Sequence, residues 1–142
     1  MADSITIDDQ CFWVSSSQLM TLVEFGIAIG RETATNSSER QWVDKLDQWH
    51  DGMWPGIGMD LAERFPTLAE QKFWAACFAN VARRIFLREL GNQKVVCWQA
   101  RTIGHAHLIS RLLTKAVQLK EGAWHPDTED SEAYGKVNNL RL

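Results

Sequence analysis

Between Phe73 and Ala79 the chain reads Phe-Trp-Ala-Ala-Cys-Phe-Ala, seven residues without a charge. This stretch is apolar on nearly all sides, so a helix built on it must be surrounded rather than laid on a surface. Thr67-Leu68-Ala69-Glu70 stands immediately before it and has the capping-box pattern, in which hydroxyl and carboxylate each satisfy an orphan N–H at a helix start. The spacing predicts a central helix over 73–90, closed by Gly91-Asn92. At 142 residues with 45% hydrophobic content the chain fits one domain with one sizeable core. Seven tryptophans in that length must mostly be buried, because each is a large apolar surface with a single polar handle.

Other helices can be read around this one. Ser15 with Gln18 is a second capping box and predicts a helix to about Glu32, in which Gly26 and Gly30 sit one turn apart. Glycine weakens a helix by about 1 kcal/mol relative to alanine, so the pair points to close approach of another element. Packing inside the core is the simpler version of that approach, and a homodimer through this helix is the other. Thr33–Ser38 reads as a polar linker, and Asn36 with Glu39 starts the next helix. There Trp42, Leu46, Trp49 and Met53 fall on one stripe, while Asp44, Asp47 and Asp51 fall on the opposite side. Gly52 and the run Trp54-Pro55-Gly56-Ile57-Gly58 end it.

A short helical piece over 59–65 is stopped by Pro66, and a last long helix runs to about Lys120 before Gly122. Residues 95–98 read equally as its first turn or as a short strand. The segments Ser4–Ile7 and Cys11–Val14 flank an Asp-Asp-Gln break and read as a short hairpin or an extended arm. The expectation is an all-α, single-domain bundle of about four main helices plus short helical pieces, with that extended arm at the N-terminal end. Residues 1–122 form the helical domain, and 123–142 an acidic strap or tail.

The charges are sorted along the chain. Residues 1–70 carry an excess of eight negative charges, 71–120 an excess of eight positive ones, and 121–142 an excess of three negative ones. Such asymmetry bears on partners rather than on fold. The N-terminal residues show no basic region followed by an apolar run, and the most apolar helical stretch, around Leu19–Ile29, is too short and too polar to span a bilayer. Cys11, Cys77 and Cys97 form an odd set without metal-type spacing, which fits free thiols in a reducing, cytoplasmic setting.

Catalytic patterns are weak. His105 and His107 would face one side on a strand but not on a helix, and metal sites need three or four converging ligands. Cys97 and His105 are eight residues apart, about 12 Å along a helix axis, which exceeds hydrogen-bond reach. Gly26-Ile27-Ala28-Ile29-Gly30 lies within a helix pattern and is no phosphate loop. The carboxylates of 39–70 read as solvated, without an environment that raises one pKa for acid–base work. The basic segment, with Arg83, Arg84, Arg88 and Arg101, would suit nucleic acid only as a one-faced stripe open to solvent, and an acidic total charge opposes that.

The sequence therefore points to a non-catalytic protein-binding module without a cofactor or metal. Its partner would be a basic protein, met by Asp44, Asp47, Asp51, Trp54, Asp127, Glu129 and Asp130, where carboxylates steer and tryptophan anchors. By analogy of type alone, a bacterial immunity protein that neutralises a toxin by occlusion fits this description. A secretion chaperone or adaptor uses the same physics. A small metal-binding enzyme on His105 and His107, and a nucleic-acid binder through residues 83–120, stand as alternatives.

Overall fold

The computed structural model describes residues 2–7, 10–53, 56, 58–86 and 99–120. Their elements, in chain order, are β1 (Ala2–Ile7), β2 (Gln10–Ser15), α1 (Ser16–Thr33), α2 (Ser37–Asp51), β3 (Met59–Asp60), α3 (Leu61–Arg64), α4 (Leu68–Phe86) and α5 (Gln99–Lys120). The all-α expectation is overturned, because among the described residues five helices stand with a three-stranded mixed sheet of order β2-β1-β3. The segments read as a hairpin or arm pair antiparallel, with Ile5 opposite Phe12 and Asp3 opposite Val14. The stretch read as one helical piece over 59–65 splits: Met59 and Asp60 pair parallel with Ile5 and Thr6, and only Leu61–Arg64 is helical.

The alternation of a strand explains which face is core. Asp3, Ile5, Ile7, Phe12, Val14 and Met59 are buried, while Cys11, Trp13 and Ser15 are exposed. Asp3 is polar yet only 2% exposed; its Oδ1 accepts the Gly58 N–H at 3.0 Å and pins the entry to β3 against β1. Asp60 then changes the chain from strand to helix, its Oδ1 accepting from Ala62 N and Glu63 N.

The helix starts follow the chemistry read from the sequence. Ser15 Oγ accepts from Gln18 N at 3.2 Å, Asn36 Oδ1 from Glu39 N at 2.9 Å, and Thr67 Oγ1 from Glu70 N at 3.2 Å. The helix α4 is the hub, with Trp74 and Phe78 fully buried. Trp74 stacks on Phe65 at 5.3 Å and meets Phe73 edge-on at 5.1 Å, favourable aromatic geometries. The most extensive neighbour of α4 is α5, whose Ala106, Leu108, Ile109, Leu112, Leu113 and Val117 are buried. Ser110 Oγ also donates to the Ala75 carbonyl at 2.7 Å. Residues 87–98, including the helix-or-strand stretch 95–98, and the strap or tail 123–142 lie outside the described residues.

Candidate functional site: the charged rim of α1 and α2

The helices α1 and α2 form an antiparallel pair joined by a short linker, so residues near the linker on each face one another. The α2 side that packs inward carries buried Val43 and Leu46, with Trp42, Trp49 and Met53 partly buried against the same core. Indole and thioether surface thus fixes the helix in rotation, and Asp44, Asp47 and Asp51 are held on its outer side. Two of them are not alone. The Arg31 guanidinium on α1 spans the gap, Nη1 lying 3.0 Å from Asp44 Oδ1 and Nη2 2.5 Å from Asp47 Oδ2. These bonds hold the Arg31 pKa above its usual value, the Asp44 bond contributing most and the Asp47 bond next. One turn along, His50 Nε2 lies 3.6 Å from Glu24 Oε1, a charge contact when the imidazole is protonated and longer than a hydrogen bond.

The rim remains open to water. The side chains of Arg31, Asp44 and Asp47 are 48%, 59% and 37% exposed, so the pairs sit in high dielectric and contribute little to stability. Three aspartates and one arginine leave a local charge of −2. Asp44 is further crowded by cations, since Arg31 and Arg40 flank it around a shallow cleft that Ala34 and Val43 also line. The least compensated carboxylate of the three is therefore Asp51, at the end of α2.

Asp47, His50 and Asp51 each bring a ligand atom within 4.8 Å of the other two, the i, i+3, i+4 relation of one helix face. They could contact a divalent cation, but Asp47 is already committed to Arg31 and the group is open to solvent, so it does not constitute a formed metal centre. The other histidine pair is not brought together: on α5, His105 is buried and His107 exposed. Of the cysteines, Cys11 is exposed on β2. Burial pushes the Cys77 thiol up to about 12, a Thr33 hydrogen bond pulling the other way, and a thiol so protonated is a poor nucleophile.

Not every carboxylate of the acidic half is solvated, contrary to the sequence reading. Glu70 is buried at the start of α4, where its Oε2 meets Lys45 Nζ of α2 at 2.8 Å. The basic segment is likewise partly engaged: Arg84 pairs with Glu32 of α1, and Arg83 donates to Asn80 on its own helix. Trp54, Asp127, Glu129 and Asp130 lie outside the described residues, as does Arg88.

Sequence reasoning missed Arg31. The available signal was the short linker, which turns the chain back so that α2 runs beside α1 and brings its middle turns within reach of Arg31. Comparison with protein-family models, with curated proteins and with solved structures returned no match.

Proposed function

We propose that this protein is a non-catalytic binding module that docks a basic protein through the outer side of α2, centred on Asp51, with Asp44 and Asp47 beside it. The observation that carries the reading is where Asp51 stands. The C-terminal end of a helix is the negative end of its dipole, where anions are disfavoured by about 0.3–1 kcal/mol each and cations are favoured. Yet α2 places Asp51 at its last residue, with His50 the sole basic group of that last turn. Local helix stability does not select that arrangement. A cationic partner does, because exposed carboxylates on a rigid element raise association rates and exclude wrong partners.

The finer reading is an inhibitor of the immunity type, acting by occlusion in the cytoplasm. It is supported by the fit of an acidic, largely helical module to that task, and a reducing compartment by the free thiols of Cys11 and Cys77. Among the described residues no helix is long and apolar enough to cross a membrane.

The test separates stability from binding. Asp51→Lys is expected to raise stability by a few tenths to about 1 kcal/mol in urea unfolding, since it exchanges an unfavourable end charge for a favourable one. The same variant, and more strongly Asp44→Lys/Asp47→Lys/Asp51→Lys, is expected to lose the partner retained by the wild-type protein from its native cells. Removing the internal cation with Arg31→Gln should act oppositely and speed association. Equal partner retention by wild type and the triple variant would falsify the assignment.

A further inference from the structure

The sheet buries one face and turns the other outward, and beside the β1–β3 pair this outer face forms a cleft of about 220 Å³. At about 30 Å³ per water that is room for several waters, or for one long side chain. Its wall is built from three separate segments. Strand alternation sends Ser4 and Thr6 outward while Ile5 goes to the core, and the parallel register sets Asp60 beside Thr6. The first turn of α3 adds Glu63 and Arg64, and α2 adds Trp49.

The chemistry of this wall is lopsided toward acceptors. Both capping bonds to Asp60 fall on Oδ1, so its second oxygen remains available. Glu63 Oε1 accepts from Arg64 Nη2 at 2.8 Å, and its second oxygen also remains. Two hydroxyls add further lone pairs. The one cation is already placed: Arg64 is tied to Glu63, and its guanidinium carbon lies 5.1 Å from the centre of the Trp49 ring. That contact occupies an aromatic face on which a sugar or base would otherwise stack. Two carboxylates against one guanidinium give the cleft a charge of −1.

We propose that this cleft seats a single lysine or arginine side chain of the basic partner, as an anchor point separate from the α2 rim. The inference rests on the docking reading above and adds where the partner inserts. An ammonium or guanidinium brings three to five donors to a wall of unsaturated oxygens, and charge-assisted bonds of this kind are roughly twice as strong as neutral ones.

The test uses the full chain labelled with ¹⁵N and titrated with Nα-acetyl-arginine methylamide, with its neutral citrulline analogue as control. Saturable shifts are expected for the Ser4, Thr6 and Asp60 amides and the Trp49 indole N–H with the arginine compound alone, at the millimolar affinity of one side chain. Asp60→Asn/Glu63→Gln turns the cleft charge from −1 to +1 while asparagine keeps the α3 cap. It is expected to weaken this binding by about tenfold or more. Glu63→Gln alone, at a largely exposed position, should give a smaller loss in the same direction and leaves the cap untouched.

Shifts that do not saturate, that citrulline reproduces, or that survive the double variant overturn the proposal. The two readings fail separately. Full partner capture by Asp60→Asn/Glu63→Gln removes the cleft and leaves the α2 rim standing. Capture lost with that variant but kept by the triple aspartate variant removes the rim and leaves the cleft.

Discussion

Gly30 shows how tightly the first helix is seated. A Cβ at this position would lie 2.9 Å from Val43 Cγ2 and 3.0 Å from Trp74 Cη2, and one at Gly26 would lie 2.8 Å from Phe78 Cζ. Both glycines therefore let α1 approach α2 and the hub helix, the packing explanation for a pair that also suggested a dimer surface. Two effects oppose each other in Gly30→Ala. Helix propensity favours alanine by about 1 kcal/mol, whereas forcing a methyl group into a filled site costs typically 1–3 kcal/mol. Val43 and the Trp74 ring are both fully buried and have little room to yield, so a net loss is expected, read as a lower urea midpoint with an unchanged slope. A stabilised variant would show that the core relaxes there.

At the scale of elements, helix starts are set by short-range hydrogen bonds, which is why they were legible. Ser15, Asn36 and Thr67 each satisfy an N–H three residues on, a relation contained within four residues of sequence. Asn36→Ala should cost about 1 kcal/mol of stability while Asn36→Asp costs little, since aspartate accepts the same bond. Thermal unfolding of the two variants side by side checks this. The strand Met59–Asp60 was not legible, for the opposite reason. Two residues carry no period, and what makes them extended is a partner strand more than fifty residues earlier. The alternation of Ile5, Ile7, Phe12 and Val14 did mark a hairpin, but without its third strand it gave only an arm on an all-helical body.

The aspartates of α2 were placed on the correct side by 3.6-residue periodicity alone. The pairing of Asp44 and Asp47 with Arg31 was not, because it depends on how two helices align rather than on either one. The same holds for Glu70, whose enclosure is decided by Lys45 from a different helix.

For the molecule as a whole, the sorted charges meet across the fold where Glu32 of α1 pairs with Arg84 of α4, while Lys45 of α2 neutralises Glu70 within the acidic stretch itself. Part of the bipolarity is thus consumed inside the fold, and among the described residues the end of α2 and the cleft by β3 keep a negative excess open to solvent. A global property also follows from one buried group. The Cys77 thiol titrates near 12 in the fold against 9.0 when free, so the folded state keeps a proton that the unfolded chain gives up. With the folded value raised, its contribution is fully present below about pH 9 and is lost as pH climbs toward about 12. Stability should decline over that alkaline window more steeply in wild type than in Cys77→Ala, measured as urea midpoints at matched pH. Parallel curves would mean the thiol does not report on folding.

The pairing of Ile5 with Met59 carries a consequence for the order of assembly. A lone two-stranded ribbon is marginal in water, and the apolar side of this one waits for Met59 and the helices beyond it. On a ribosome β1 and β2 therefore leave the exit tunnel as an unfinished sheet, sticky on one side, for as long as synthesis takes to deliver the far strand. Closing so long a loop adds little in free energy but delays the event. A pause in translation before Met59 would prolong that vulnerable interval, and a nascent-chain chaperone would find its target there.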